Sequence, residues 1–234
     1  MSDFERYGDY NEVDESPKKS RVLLVIKITA LVLCFSVVAL LLFRVFSFNY
    51  YPDSMKKLYF TDTLTAYYNE KGGDIGAKTQ ELRAPYDDAE LGNFFCDNLI
   101  IIEELGEIQI SLRYNVSLAD TIKEKYGADF DPDDTSRFTF TLTRSGGDES
   151  ATGAAAGVPM ESKLTACEWD SFMMYRYAKL VFDGVNFEGA EWIRLDIRID
   201  GVEREEPFMV CIYENVSEYS EFTEYKLSSS EVPK

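Results

Sequence analysis

The stretch of this chain closest to a chemical motif is a run of acids, Asp129-Phe130-Asp131-Pro132-Asp133-Asp134-Thr135. Hard cations such as calcium need several oxygens converging from one turn, and acids at the first, third and fifth positions open such a loop. Asp129, Asp131, Asp133 and Asp134 are therefore the candidate calcium ligands. Two positions depart from the helix–loop–helix calcium pattern. Asp134 stands where the sharp turn takes glycine, and Phe140 stands where a bidentate glutamate belongs. The competing reading is a solvated acidic turn that leads into a strand.

Other chemistry is constrained by what is missing. The chain has no histidine, which removes Ser-His-Asp and Cys-His catalysis, histidine metal sites and the usual near-neutral proton shuttle. A hydrolase would have to pair carboxylates, and nothing among the 42 acids singles out a pair. No enzyme activity and no cofactor other than calcium is expected. Of the four cysteines, Cys34 lies in an apolar stretch, leaving Cys96, Cys167 and Cys211 without CxxC spacing. An odd number fits one bridge plus a thiol, or three buried thiols. Trp169, Phe172, Tyr175, Tyr177 and Trp192 supply rings that could stack on sugars, so glycan binding is an alternative role. Asn115 and Asn215 each begin an Asn-Val-Ser acceptor, which is read as chance.

The element that positions everything else is residues 22–43, VLLVIKITALVLCFSVVALLLF, from Val22 to Phe43. Lys27 is its only charge. At about 1.5 Å of rise per residue it spans roughly 33 Å, the thickness of a bilayer's hydrocarbon core. It has no polar face, so it is read as one transmembrane helix. Lys18, Lys19, Arg21 and Lys27 precede or enter it, against Arg44 close behind and Lys56 and Lys57 further on. That bias predicts an inner N-terminus and an outer C-terminal domain in the cell membrane. Arg44 follows the apolar core directly, which favours an uncleaved anchor over a signal peptide. Leu33 is too large to precede a lipidated Cys34.

Charge is divided by the same helix. Residues 1–44 hold six acids and six bases, so the whole net charge of −18 falls after it. Such a surface repels nucleic acid and anionic lipid. Residues 1–20 and 229–234 are expected to be disordered tails, and 145–162 a flexible Gly/Ala/Ser loop. Between them, residues 52–228 alternate with period two. Residues 58–68 are expected as a first strand. Residues 99–102 look like a strand buried on both faces. In the following strand Ile108, Ile110, Leu112 and Tyr114 face the core, and Glu107, Gln109, Ser111 and Arg113 face away. Residues 117–126 predict one short helix closed by Gly127. Further strands are expected at 138–142, 173–182, 192–199, 208–212 and 222–227. The sum is a mainly β fold: a transmembrane helix, then an antiparallel β-sandwich, Ig-like or jelly-roll-like. The expected role is a non-enzymatic membrane-anchored envelope protein whose outer domain binds a protein partner.

Overall fold

The computed structural model describes residues 17–81, 94–145, 158–188, 190, 192–214, 222–227 and 231. Of the tails expected at 1–20 and 229–234, residues 1–16, 229–230 and 232–234 lie outside them, as do most of the 145–162 loop and the side chain of Cys211; residues 17–20 are helical instead. The chain divides into two compact units, Met1–Asn49 and Tyr50–Lys234.

The first unit contains one 33-residue helix, α1 (Pro17–Asn49). It is the one helix of the described residues long and apolar enough to cross a membrane, with a mean hydropathy of 2.7 over its most apolar window. Its side chains from Val22 through Phe43 are exposed on every side, as a helix whose solvent is lipid requires. Val22, Lys27, Cys34, Phe43 and Arg44 all lie on it.

The second unit is mainly β. After α2 (Asp53–Lys56) and α3 (Asp62–Lys71) come β1 (Lys78–Glu81), β2 (Phe94–Ile102) and β3 (Glu107–Asn115), then α4 (Leu118–Tyr126) and β4 (Phe138–Arg144). β5 (Val158–Pro159), β6 (Lys163–Phe172), β7 (Tyr175–Asp183), β8 (Trp192–Ile199), β9 (Phe208–Glu214) and β10 (Thr223–Glu224) complete it. Two antiparallel sheets form, ordered β10-β1-β2-β3-β7-β6 and β5-β4-β8-β9. They share one core. Ile108, Ile110 and Leu112 of β3 and Leu180 of β7 meet Leu142 of β4 and Ile193, Leu195 and Ile197 of β8. Leu118 and Ile122 of α4 close one side of it.

The expected strand at 58–68 is a correction. Its Thr- and aromatic-rich composition has strand propensity, but local capping decides otherwise. Thr61 Oγ1 accepts from the Leu64 amide at 3.0 Å, and Gly72 ends α3 in the left-handed conformation at φ 69°. Leu64, Tyr67 and Tyr68 then share one face and cover Ile100 and Ile102. The domain thus holds α2 and α3 beside the expected α4.

The larger correction concerns β3. Ile108 to Tyr114 face the shared core as expected, but the opposite face is not solvated. Glu107, Gln109 and Ser111 are fully buried and Arg113 nearly so. Residues 55–61 run over them as a strap. Ser111 Oγ donates to the Met55 carbonyl at 2.5 Å. Gln109 makes a two-bond clamp on Tyr59, accepting from its amide at 2.8 Å and donating to its carbonyl at 2.7 Å. A primary amide has the donor and acceptor of a peptide group, so Gln109 acts as one rung of a ladder that the strap lacks. Tyr225 and Glu231 bind the Leu58 amide on the strap's other side.

A Gln109→Leu substitution preserves volume but orphans both main-chain groups of Tyr59. We expect thermal unfolding of the full chain in detergent to report a loss of about 1–3 kcal/mol. Thr141→Val, at an exposed position on β4, removes no strap hydrogen bond and is the control.

Candidate functional site

The polar side chains beneath the strap form one continuous row across β2, β3 and β7. Antiparallel pairing sets Ser111 opposite Lys179, so both side chains rise on the same outer face of the sheet. Lys179 Nζ donates to the Met55 carbonyl and to Ser111 Oγ, each at 3.3 Å. Two polar side chains therefore converge on one strap carbonyl. Burial, the largest influence, pulls the Lys179 ammonium down to about 8, and the charges of Glu231, Glu107 and Glu168 oppose the shift.

At one end of the row Glu107 accepts from Gln109 Nε2 at 2.6 Å and from Thr61 Oγ1 at 3.3 Å. Burial pushes its carboxyl up to about 7, and the neighbouring Asp183 adds to the shift. Two acids do meet here, which the sequence could not single out. Thr61 covers Glu107, which is fully buried and faces the chain itself.

At the other end a β-bulge between Cys96 and Asn98 re-aims Asp97 onto the outer face. Asp97 pairs with Arg113 at 2.9 Å. The Arg113 guanidinium also lies over the rings of Phe95 and Tyr175, at 5.1 and 5.4 Å. Burial raises the Asp97 carboxyl to about 6 against the pull of Arg113. Tyr51 packs edge-on against Tyr177 at 5.4 Å, and burial holds its hydroxyl well above the ordinary range. The whole row is chemically rich and physically closed. What it does in this state is hold the strap.

The residues singled out from sequence are distributed elsewhere. Asp129 pairs with Lys123 at 3.0 Å. Asp131 Oδ1 accepts from the Asp133 amide at 2.9 Å. Asp133 pairs with Arg176, and Asp134 accepts from Ser136 at 2.6 Å. Each carboxylate thus serves a local donor, and no three His, Cys, Asp or Glu side chains among the described residues form a metal cluster. The rings divide similarly. Trp169 packs with Phe138 and Phe140 at the core margin. Tyr175 and Tyr177 are buried beside Met55, and Phe172 lies under Tyr50. Trp192 lies on the other sheet beneath Arg194. They do not pave a common face. Cys96 is buried and Cys167 half-buried, both as free thiols that burial pushes up, Cys167 to about 11.

No protein-family model, no curated protein and no solved structure matches the chain.

The buried row gives the domain a pH signature. Glu107 and Asp97 have raised folded values, so their contribution is complete at low pH and is lost as pH rises through about 6 to 7. Lys179 is lowered, so its contribution is lost below about 8 and returns as pH rises toward the unfolded value. The melting temperature of the full chain in detergent should fall from pH 5 to pH 8. Glu107→Gln should flatten that fall and melt above the parent at pH 8.

Proposed function

We propose that this is a single-pass membrane-anchored protein that presents its β domain outside the cell membrane to a protein partner. The observation that carries the reading is the pairing of one helix long and apolar enough to span a membrane with a separate, packed β unit. α1 is apolar all round and ends at Asn49. The next residue, Tyr50, already belongs to the β domain: its carbonyl accepts from the Tyr177 hydroxyl at 3.0 Å, and its ring stacks on Phe172. Lys18, Lys19, Arg21 and Lys27 before or within the span, against Arg44 after it, support an inner N-terminus.

The partner surface we favour is the open edge of the larger sheet. β6 is ten residues long and pairs only with β7 among the described strands. Its outer row of amides and carbonyls can accept an extended segment from another protein. Glu168 and Asp170 are exposed along it, so a segment with basic side chains fits, and the acids with the bulge at Leu164/Ala166 discourage indiscriminate pairing.

Two measurements test the reading. Alkaline carbonate should leave the chain in the membrane pellet, and protease added outside intact cells should digest the β domain. A photo-crosslinking side chain in place of Thr165, exposed on β6, should capture one discrete adduct that Glu168→Lys with Asp170→Lys abolishes. A probe in place of Glu124 on α4 should not capture it. Identical adducts from both positions would overturn the edge assignment.

A further inference from the structure

We propose that the β6 edge takes an antiparallel segment in which basic and apolar residues alternate, the basic ones set opposite Glu168 and Asp170 and the apolar ones opposite Cys167 and Trp169. The inference rests on the edge reading above and adds to it the sequence pattern and the direction of the segment.

The pattern follows from the way each β6 residue faces. Glu168 stands opposite Lys179, and Asp170 opposite Tyr177. Lys179 and Tyr177 lie on the strap side of the sheet, against Met55. Directly opposed residues share a face, so both acids rise on that side, where they are exposed. Cys167 stands opposite Leu180, and Trp169 opposite Ala178. Leu180 and Ala178 belong to the shared core, but Cys167 and Trp169 only pack against it, half-buried. β6 ends the sheet among the described strands.

An added strand continues both faces, because its own side chains alternate with the same period. Lysine or arginine opposite the two acids makes favourable cross-strand pairs, and like charge there is repelled. An aliphatic side chain opposite Trp169 or Cys167 extends the core and takes further apolar area out of water. A segment that is basic throughout loses the second gain, and one that is apolar throughout loses the first.

The main chain sets the direction. The β6–β7 hairpin closes on Phe172 and Tyr175 around Met173 and Met174, and such a two-residue turn is flanked by a hydrogen-bonded pair. Main-chain groups alternate in direction along a strand. Those of Phe172, Asp170 and Glu168 therefore turn toward β7, and those of Ser171, Trp169 and Cys167 turn toward the open edge. The Ser171 amide is held by Asp170 Oδ1 at 2.7 Å. The ladder offered to a partner thus runs over Trp169 and Cys167, and the bulge at Leu164/Ala166 interrupts it beyond them. In antiparallel pairing, the more stable kind per residue, the residue opposite Trp169 exchanges both of its main-chain bonds with it. The apolar residues of the segment then carry the ladder, and the basic residues carry the charge pairs. Parallel pairing would exchange these roles.

The test uses the pentapeptide Val-Lys-Val-Lys-Val, fluorescently labelled at its N-terminus and amidated at its C-terminus. It is titrated with the full chain in detergent and read by anisotropy. A second form is methylated on the main-chain nitrogens of its second and third valines, and a third on those of its two lysines. All three carry the same charge, so general attraction to the acidic domain is common to them. Methylating the valines should weaken binding at least about tenfold, because it removes ladder donors. Methylating the lysines should leave binding nearly unchanged, and Glu168→Lys with Asp170→Lys should weaken the unmodified peptide about as much as valine methylation does. Equal binding of the two methylated forms, or a loss confined to the methylated lysines, would overturn the proposal. Failure of the unmodified peptide to bind, in a chain whose probe at Thr165 still captures its adduct, would overturn this pattern and leave the edge reading standing. Failure of both would overturn both.

Discussion

The structure depends on how a polar sheet face is closed by polar chain. β3 offers Glu107, Gln109 and Ser111 on its outer side, and none of these can be covered by apolar side chains without orphaned donors and acceptors. The strap at residues 55–61 meets them with main-chain groups instead. Met55 and Tyr59 each bring a carbonyl, Tyr59 brings an amide, and the Gln109 amide matches one peptide group with two hydrogen bonds. Each such bond is worth about 1 kcal/mol net, and each would cost more than that if left unmade. The asymmetry is what keeps the strap in place: partial undocking strands several buried polar groups together.

From that constraint the arrangement of the domain follows. The inner faces of β2, β3 and β7 are released to build an apolar core with β4, β8 and β9. The outer faces are divided between the polar row and the apolar cover that α3 lays over Ile100 and Ile102. The strap, residues 55–61, belongs to the same compact unit as the sheet it docks on.

Much of this is legible in the sequence where the signal is local. The uncharged run within α1, the Leu99-Ile100-Ile101-Ile102 run of β2, the alternation of β3 and β8, and Gly127 after α4 each carry their element in their own residues. The failures have physical causes. β6 breaks its alternation at the bulge near Thr165, so Leu164 and then Cys167 and Trp169 reach the core out of phase. α3 has strand-like residues, and its true signals were Thr61 before it and Gly72-Gly73 after it. Glu107, Gln109, Ser111 and Arg113 look like a solvent face because nothing in a polar alternation announces that a distant main chain will cover it. Gln109 acts through Tyr59, fifty residues away, and a single sequence does not encode that pairing visibly. The acidic turn at 129–134 was legible as chemistry, but its carboxylates are committed one by one to nearby donors.

The central claim is that residues 55–61 are clamped to the outer face of β3 rather than lying loose over it. Amide hydrogen exchange of the full chain in nanodiscs tests it directly, read over residues 55–61 against β3. The account predicts that the Tyr59 amide is protected nearly as long as those of β3 and that Gln109→Leu removes this protection while β3 keeps its own. Exchange of Tyr59 in the parent chain at the rate of an open linker would contradict it.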